Sequence, residues 1–75
     1  MSRLPQLTSR KMIAALQRAG FVIDRIKGSH HFLRHKDDPR RRTVVAVHAG
    51  DVPQGTLRDI LKQANLSRDE LLKLL

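Results

Sequence analysis

On either side of Gly20 the spacing of apolar residues changes, and that change decides most of what this chain can fold into. Before it, Met12, Ile13, Leu16 and Ala19 recur at intervals of three and four, which lines them up as one stripe on a helix. Thr8 stands where its hydroxyl caps the first backbone amides, Leu7 and Met12 flank it as an apolar staple, and Gly20 ends the helix. After Gly20 the apolar residues are β-branched or aromatic and fall in three groups: Phe21, Val22, Ile23 and Ile26; Phe32 and Leu33; Thr43, Val44, Val45 and Val47. Gly28 separates the first two groups, and Asp37, Asp38 and Pro39 supply turn chemistry between the second and third. Three short strands in an antiparallel meander are the simplest arrangement.

The stretch from Ala49 to Gly55, with Asp51 and Pro53 inside it, is a loop, and Leu57, Ile60, Leu61 and Ala64 then restore helical spacing. This second helix is expected to start between Asp51 and Thr56 and to close at Asn65. Ser67 with Glu70 forms a capping box for a short last helix, with Leu66 and Leu71 as its staple. The resulting order, helix, three strands, helix, short helix, predicts an α+β domain in which helices cover one face of the sheet and leave the other open. A chain of 75 residues holds a single core, so residues 1–75 are expected to form one domain, with 1–6 flexible.

Charge narrows the function. Fifteen Lys and Arg against seven Asp and Glu give a net charge of +8, so the natural partners are polyanions. The absence of cysteine excludes disulfides and thiolate metal sites, and Met1 to Gln6 lacks the apolar run of a signal peptide. A cytoplasmic protein without a membrane role is the expectation.

Four histidines stand out in so short a chain. Alternation along the second strand puts His30, Phe32 and Arg34 on one face and His31, Leu33 and His35 on the other. If Val45 and Val47 face the helices, then Val44, Ala46 and His48 share the open face, with His30 a candidate to join them. A pair of adjacent histidines plus distant His35 and His48 has no recognised metal-ligand spacing, so neither metal nor cofactor is expected.

Lys27, Gly28, Ser29 and His30 spell KGSH between two strands that follow an amphipathic helix. With the HHFLRH strand, a third strand ending at His48 and GTLRDILKQANLS from Gly55 to Ser67, the chain resembles the HicA mRNA-interferase toxins over nearly its whole length from Leu7 onward. The resemblance implies a fold like that of the double-stranded-RNA-binding domain, translation-independent cleavage of mRNA, and neutralisation by a HicB-type antitoxin, with operator DNA met only through that antitoxin. It also implies that His30 is the catalytic position. One departure is Ala46, where many relatives carry a proline, and strand three is expected to be more regular for it.

RNA cleavage can use the substrate's own 2′-hydroxyl as nucleophile, and a histidine side chain, ordinarily near pKa ~6.5, suits the proton transfer. Beside His30, Gly28 would let backbone approach a phosphate, Ser29 would bond a phosphate or orient the imidazole, and Lys27 would stabilise developing charge. Candidate RNA contacts are Arg10 and Lys11 in the first helical turn, Arg25, Arg34, Lys36, His48, and the run Arg40, Arg41 and Arg42 as a clamp at a hairpin tip. Base stacking rests on Phe32, since Phe21 belongs to the core. A non-catalytic double-stranded-RNA-binding module would share this charge and fold without needing His30. A protein-interaction subunit would instead use Leu71, Leu72, Leu74 and Leu75 as an apolar patch.

Overall fold

The computed structural model describes residues 3–75. Helix α1 (Ser9–Arg18) is followed by strands β1 (Phe21–Lys27), β2 (His30–His35) and β3 (Arg42–Ala46), then helices α2 (Gln54–Ala64) and α3 (Arg68–Leu74). The sheet is antiparallel in the order β1-β2-β3. Helix α1 lies against β1 and β3, α2 against β3, and α3 against α1, so one face of the sheet is covered and the other is open.

The local signals act where the chain chemistry places them. The Thr8 hydroxyl accepts from the Lys11 amide, and α1 ends at Ala19 and Gly20, whose φ of +103° is left-handed backbone. Asn65 closes α2 in the left-handed region, and Ser67 and Glu70 form the reciprocal capping box of α3. The Glu70 carboxyl is held below the usual carboxylate range because it accepts the Ser67 backbone N–H. Helix α2 has Pro53 at its N-cap and no side-chain cap bond there, so its anchorage comes from burying Leu57, Ile60, Leu61 and Ala64. These join Met12, Leu16, Phe21, Leu33, Val45 and Leu71 in one core. Truncating any of the large ones to Ala costs about 2–5 kcal/mol by the usual cavity rule. Leu4 belongs to this core as well, and its backbone N–H and C=O both bond the Gln54 side chain, which ties residues 3–6 to the start of α2. Residues 1 and 2 lie outside the described residues.

Sidedness of the sheet turns on one residue. In β1 the pairing runs Phe21↔His35, Val22↔Arg34, Ile23↔Leu33, then skips Asp24 and resumes as Arg25↔Phe32, Ile26↔His31 and Lys27↔His30. Simple alternation from Phe21 would send Ile23, Arg25 and Lys27 to the same side. The bulge at Asp24 instead leaves Phe21 and Ile23 facing the helices and turns Arg25 and Lys27 to the open face.

Strand β3 differs from the sequence expectation at its end. It stops at Ala46, not His48. The Val47 amide donates to the carbonyl of Ser29 in the β1–β2 turn, after which the Ser9 hydroxyl holds the backbone of His48 by accepting from its N–H and donating to its C=O. That grip pulls the chain toward α1 and off the sheet.

Candidate nucleic-acid interface

Directly paired residues in an antiparallel sheet share a face, so the register gives the open surface as three rows. The first holds Lys27, His30 and Ala46, the second Arg25, Phe32 and Val44, the third Val22, Arg34 and Arg42. The covered face holds Ile23, Leu33 and Thr43, flanked by Phe21 with His35 on one side and Ile26, His31 and Val45 on the other.

His30 begins β2 immediately after the two-residue turn Gly28–Ser29. Gly28 has φ +60° and Ser29 a negative φ, the sign pattern of a tight hairpin turn that wants glycine first. A Cβ on Gly28 would meet no atom within 4 Å, so the turn needs its backbone conformation and the surrounding space is open. The His30 side chain is exposed, with Lys27 directly opposite on β1 and Ala46 opposite on β3. Among the described residues its ring makes no hydrogen bond to protein, whereas Ser29 uses its carbonyl for Val47.

The other histidines have different surroundings. His35 accepts the Asp37 N–H at Nδ1 (3.1 Å), which leaves Nε2 to donate to the carbonyl of Ala19 (3.0 Å). Its ring stands edge-on to Phe21 with centroids 5.2 Å apart. His31 faces the helix side, its Nδ1 3.3 Å from the Ser29 carbonyl. His48 is exposed in the loop after β3, beside a recess of about 240 Å³ that also takes in Ser9, Asp51 and Thr56. The expected sharing of the open face by Val44 and Ala46 holds, and His48 is not part of it.

The basic candidates separate into groups. Arg25, Lys27, Arg34 and Arg42 lie on the open face. The Arg25 guanidinium sits 4.6 Å over the Phe32 ring, so one face of that ring carries a cation. Arg34 reaches Asp24 at 3.3 Å, and Arg42 donates to the Pro39 carbonyl. Within the run of three arginines, Arg40 pairs in solvent with Asp38, whose carboxyl its hydrogen bond holds below the usual range. Arg41 turns inward. Its Nε donates to the carbonyl of Ala64 at 2.8 Å, and its guanidinium lies 5.4 Å from the Phe21 ring, a cation at the negative end of α2. Arg10 lines a recess with Ile13, Ile23 and His31 on the covered side, Lys11 lines another with Leu7 and Leu75, and Lys36 is exposed just past β2. None of these three is on the open face.

Two residues absent from the sequence reading shape the site, Asp24 as the bulge and Ser9 as the holder of the His48 loop, and Arg41, expected as part of a clamp, is a partner of α2. Ser9 beside the capping Thr8 and inside the first turn was the one available signal. At the carboxyl end, Leu71 is buried and Leu74 packs on the core, which leaves Leu72 and Leu75 exposed.

Among the described residues no group of three His, Asp or Glu side chains converges to hold a metal ion, and no helix is long and apolar enough to cross a membrane. A family model described as the HicA toxin of bacterial toxin–antitoxin systems matches residues 9–66. No curated protein matches the chain.

Proposed function

Since this chain belongs to the HicA toxin family and so acts as the toxin of a toxin–antitoxin pair, we propose that it is a cytoplasmic endoribonuclease that cleaves mRNA independently of translation and uses His30 as base. The observation that carries this reading is the contrast between His30 and its neighbours: exposed, not hydrogen-bonded to protein, and paired across the sheet with Lys27. His30 takes the proton of a ribose 2′-hydroxyl, the oxygen attacks the adjacent phosphorus, and the bond to the 5′ oxygen breaks. The products are a 2′,3′-cyclic phosphate and a 5′-hydroxyl, which takes its proton from solvent. Lys27 stabilises the negative charge that builds on the phosphoryl oxygens. The Gly28–Ser29 turn sets the distance between those two side chains. No step calls for a metal or an organic cofactor.

An acidic antitoxin of the HicB type would neutralise such a surface by covering the same open face, where four cations offer it complementary charge, and operator DNA would be reached only through that antitoxin.

His30→Ala tests the reading. RNA cleavage should fall by at least ~100-fold, the lower range for loss of a general base, while RNA binding persists because phosphate contacts supply most of the affinity. Wild-type protein in excess EDTA should cut single-stranded RNA undiminished. Loss of cutting in EDTA with recovery on adding a divalent ion would sink the mechanism, and wild-type rates from His30→Ala would move the chemistry to another residue. Affinity should also drop steeply as salt rises.

A further inference from the structure

We propose that the three rows of the open face form a track for single-stranded RNA running along β2: the scissile phosphate at His30, a base stacked on the Arg25–Phe32 pair, and a second phosphate gripped by Arg34 and Arg42. The proposal rests on the reading of His30 as the cleavage site and adds substrate form and register to it.

Three observations point the same way. Arg34 and Arg42 are directly opposite each other across β2 and β3. Like charges in that position oppose pairing, and an anion between them turns the repulsion into a two-sided clamp. Asp24 bonds Arg34 through Nε only, and Arg42 uses its Nε on Pro39, so the terminal guanidinium nitrogens of both make no hydrogen bond to protein among the described residues. Next, the Arg25 guanidinium carbon stands 4.6 Å from the Phe32 ring centroid, and a guanidinium beside an aromatic ring presents the sequence-tolerant platform on which an unpaired base rests. Finally, the surface is concave there: a depression of about 600 Å³ takes in Arg25, Phe32, Arg34 and Arg42 and continues past β3 to Thr43 and Gln63. Charge complementarity chooses the occupant, since the face carries Arg25, Lys27, Arg34 and Arg42 against Asp24 alone.

Spacing makes the track quantitative. Four residues separate His30 from Arg34, which at ~3.3 Å per residue is ~13 Å along the strand. That distance holds no more than about four nucleotides stacked at ~3.4 Å each, and fewer if the strand is extended. A duplex is excluded by the same geometry, because its bases are stacked inward and offer the Arg25–Phe32 platform no face.

The test uses the full chain and single-stranded oligoribonucleotides shortened one nucleotide at a time on each side of the mapped cleavage point. On one side only, KM should rise at least about tenfold once fewer than about four nucleotides remain, with kcat held within about twofold. Arg34→Gln combined with Arg42→Gln should give the longest oligonucleotide the KM of the shortened one and abolish the length step, with circular dichroism unchanged because both side chains bond only at the surface. An abasic nucleotide inside the window should weaken binding about tenfold, and Arg25→Gln should be blind to it. The same ladder, read by fluorescence anisotropy on His30→Ala protein with and without the two arginine changes, reports the track without cleavage. A length step there that vanishes with the arginines sustains the track even where another residue does the chemistry. Absence of any length step, an unchanged step in the double variant, or equal affinity for duplex and single strand overturns it.

Discussion

Alternate residues of β2 can be compared directly, since they share one backbone and differ only in the side they face. On the covered side, His35 uses both ring nitrogens, touches Phe21 edge-on, and is pressed against Gly20. On the open side, His30 has Lys27 and Ala46 for neighbours and no hydrogen bond to protein among the described residues. The same residue type is thus a structural rivet five positions from where its ring is exposed and makes no hydrogen bond to protein among the described residues. What separates the two is commitment: a nitrogen already bonded to backbone has no capacity left for a substrate.

The comparison breaks most visibly if the two histidines are exchanged in role. His30→Ala is expected to lose at least ~100-fold in cleavage and less than about 1 kcal/mol in stability. His35→Ala removes two hydrogen bonds and an aromatic contact, for about 2 kcal/mol of lost stability, with turnover per folded molecule unchanged. Urea unfolding alongside a cleavage assay decides it, and a His35→Ala protein that is stable but inactive would reverse the assignment.

Gly20→Ala sharpens the same contrast from the other side. A Cβ there would stand 2.8 Å from His35 Nε2 on backbone at φ +103°, so the ring must leave the Ala19 carbonyl and the chain must strain. A loss of about 2 kcal/mol is expected. Gly28→Ala meets no neighbouring atom, and only its φ of +60° resists, so about 1 kcal/mol is expected there. Equal losses at the two glycines would mean that His35 does not enforce the close approach.

Adjacent arginines extend the test to the end of the hairpin. Arg41→Ala should cost about 1–2 kcal/mol through the Ala64 carbonyl and the Phe21 ring, while Arg40→Ala should leave the thermal midpoint where it is.

The α3 cap adds a pH-dependent effect. Ser67→Ala should cost about 1 kcal/mol. Glu70, whose folded pKa is depressed, contributes stability above the ordinary carboxylate pKa and loses it as pH falls through the lower folded value. The gap between wild type and Glu70→Ala should therefore be full at neutral pH and close in acid. A gap that widens in acid would contradict the bond to Ser67.

Much of the fold was legible because it is written in short-range terms. Thr8, Gly20, Asn65 and the Ser67–Glu70 pair each act on backbone within a few residues, and the apolar stripes of α1 and α2 need only a helical period. The resemblance that runs through KGSH also gave the family. Less legible were features decided by partners distant in sequence. Nothing near Asp24 announces a bulge, because the register is set by which residues of β2 it must face. The run Arg40 to Arg42 reads as one cluster until α2 arrives to accept Arg41. The alternation of β3 pointed His48 to the open face, and Ser9, 39 residues earlier in the chain, holds it elsewhere.

The bulge at Asp24 has a hereditary side. Which flank of the sheet receives Arg25 and Lys27 is decided by their pairing with Phe32 and His30 on β2, and the bulge absorbs the one residue too many that precedes them. Asp24→Ala leaves that pairing in place. Loss of that single codon in frame would remove the unpaired residue, let Ile23 and Arg25 follow Leu33 and Phe32 in unbroken alternation, and leave both cations on the open face. One triplet in the middle of an edge strand is therefore a length the gene can lose without turning its cationic face, a tolerance that substitution scanning would miss.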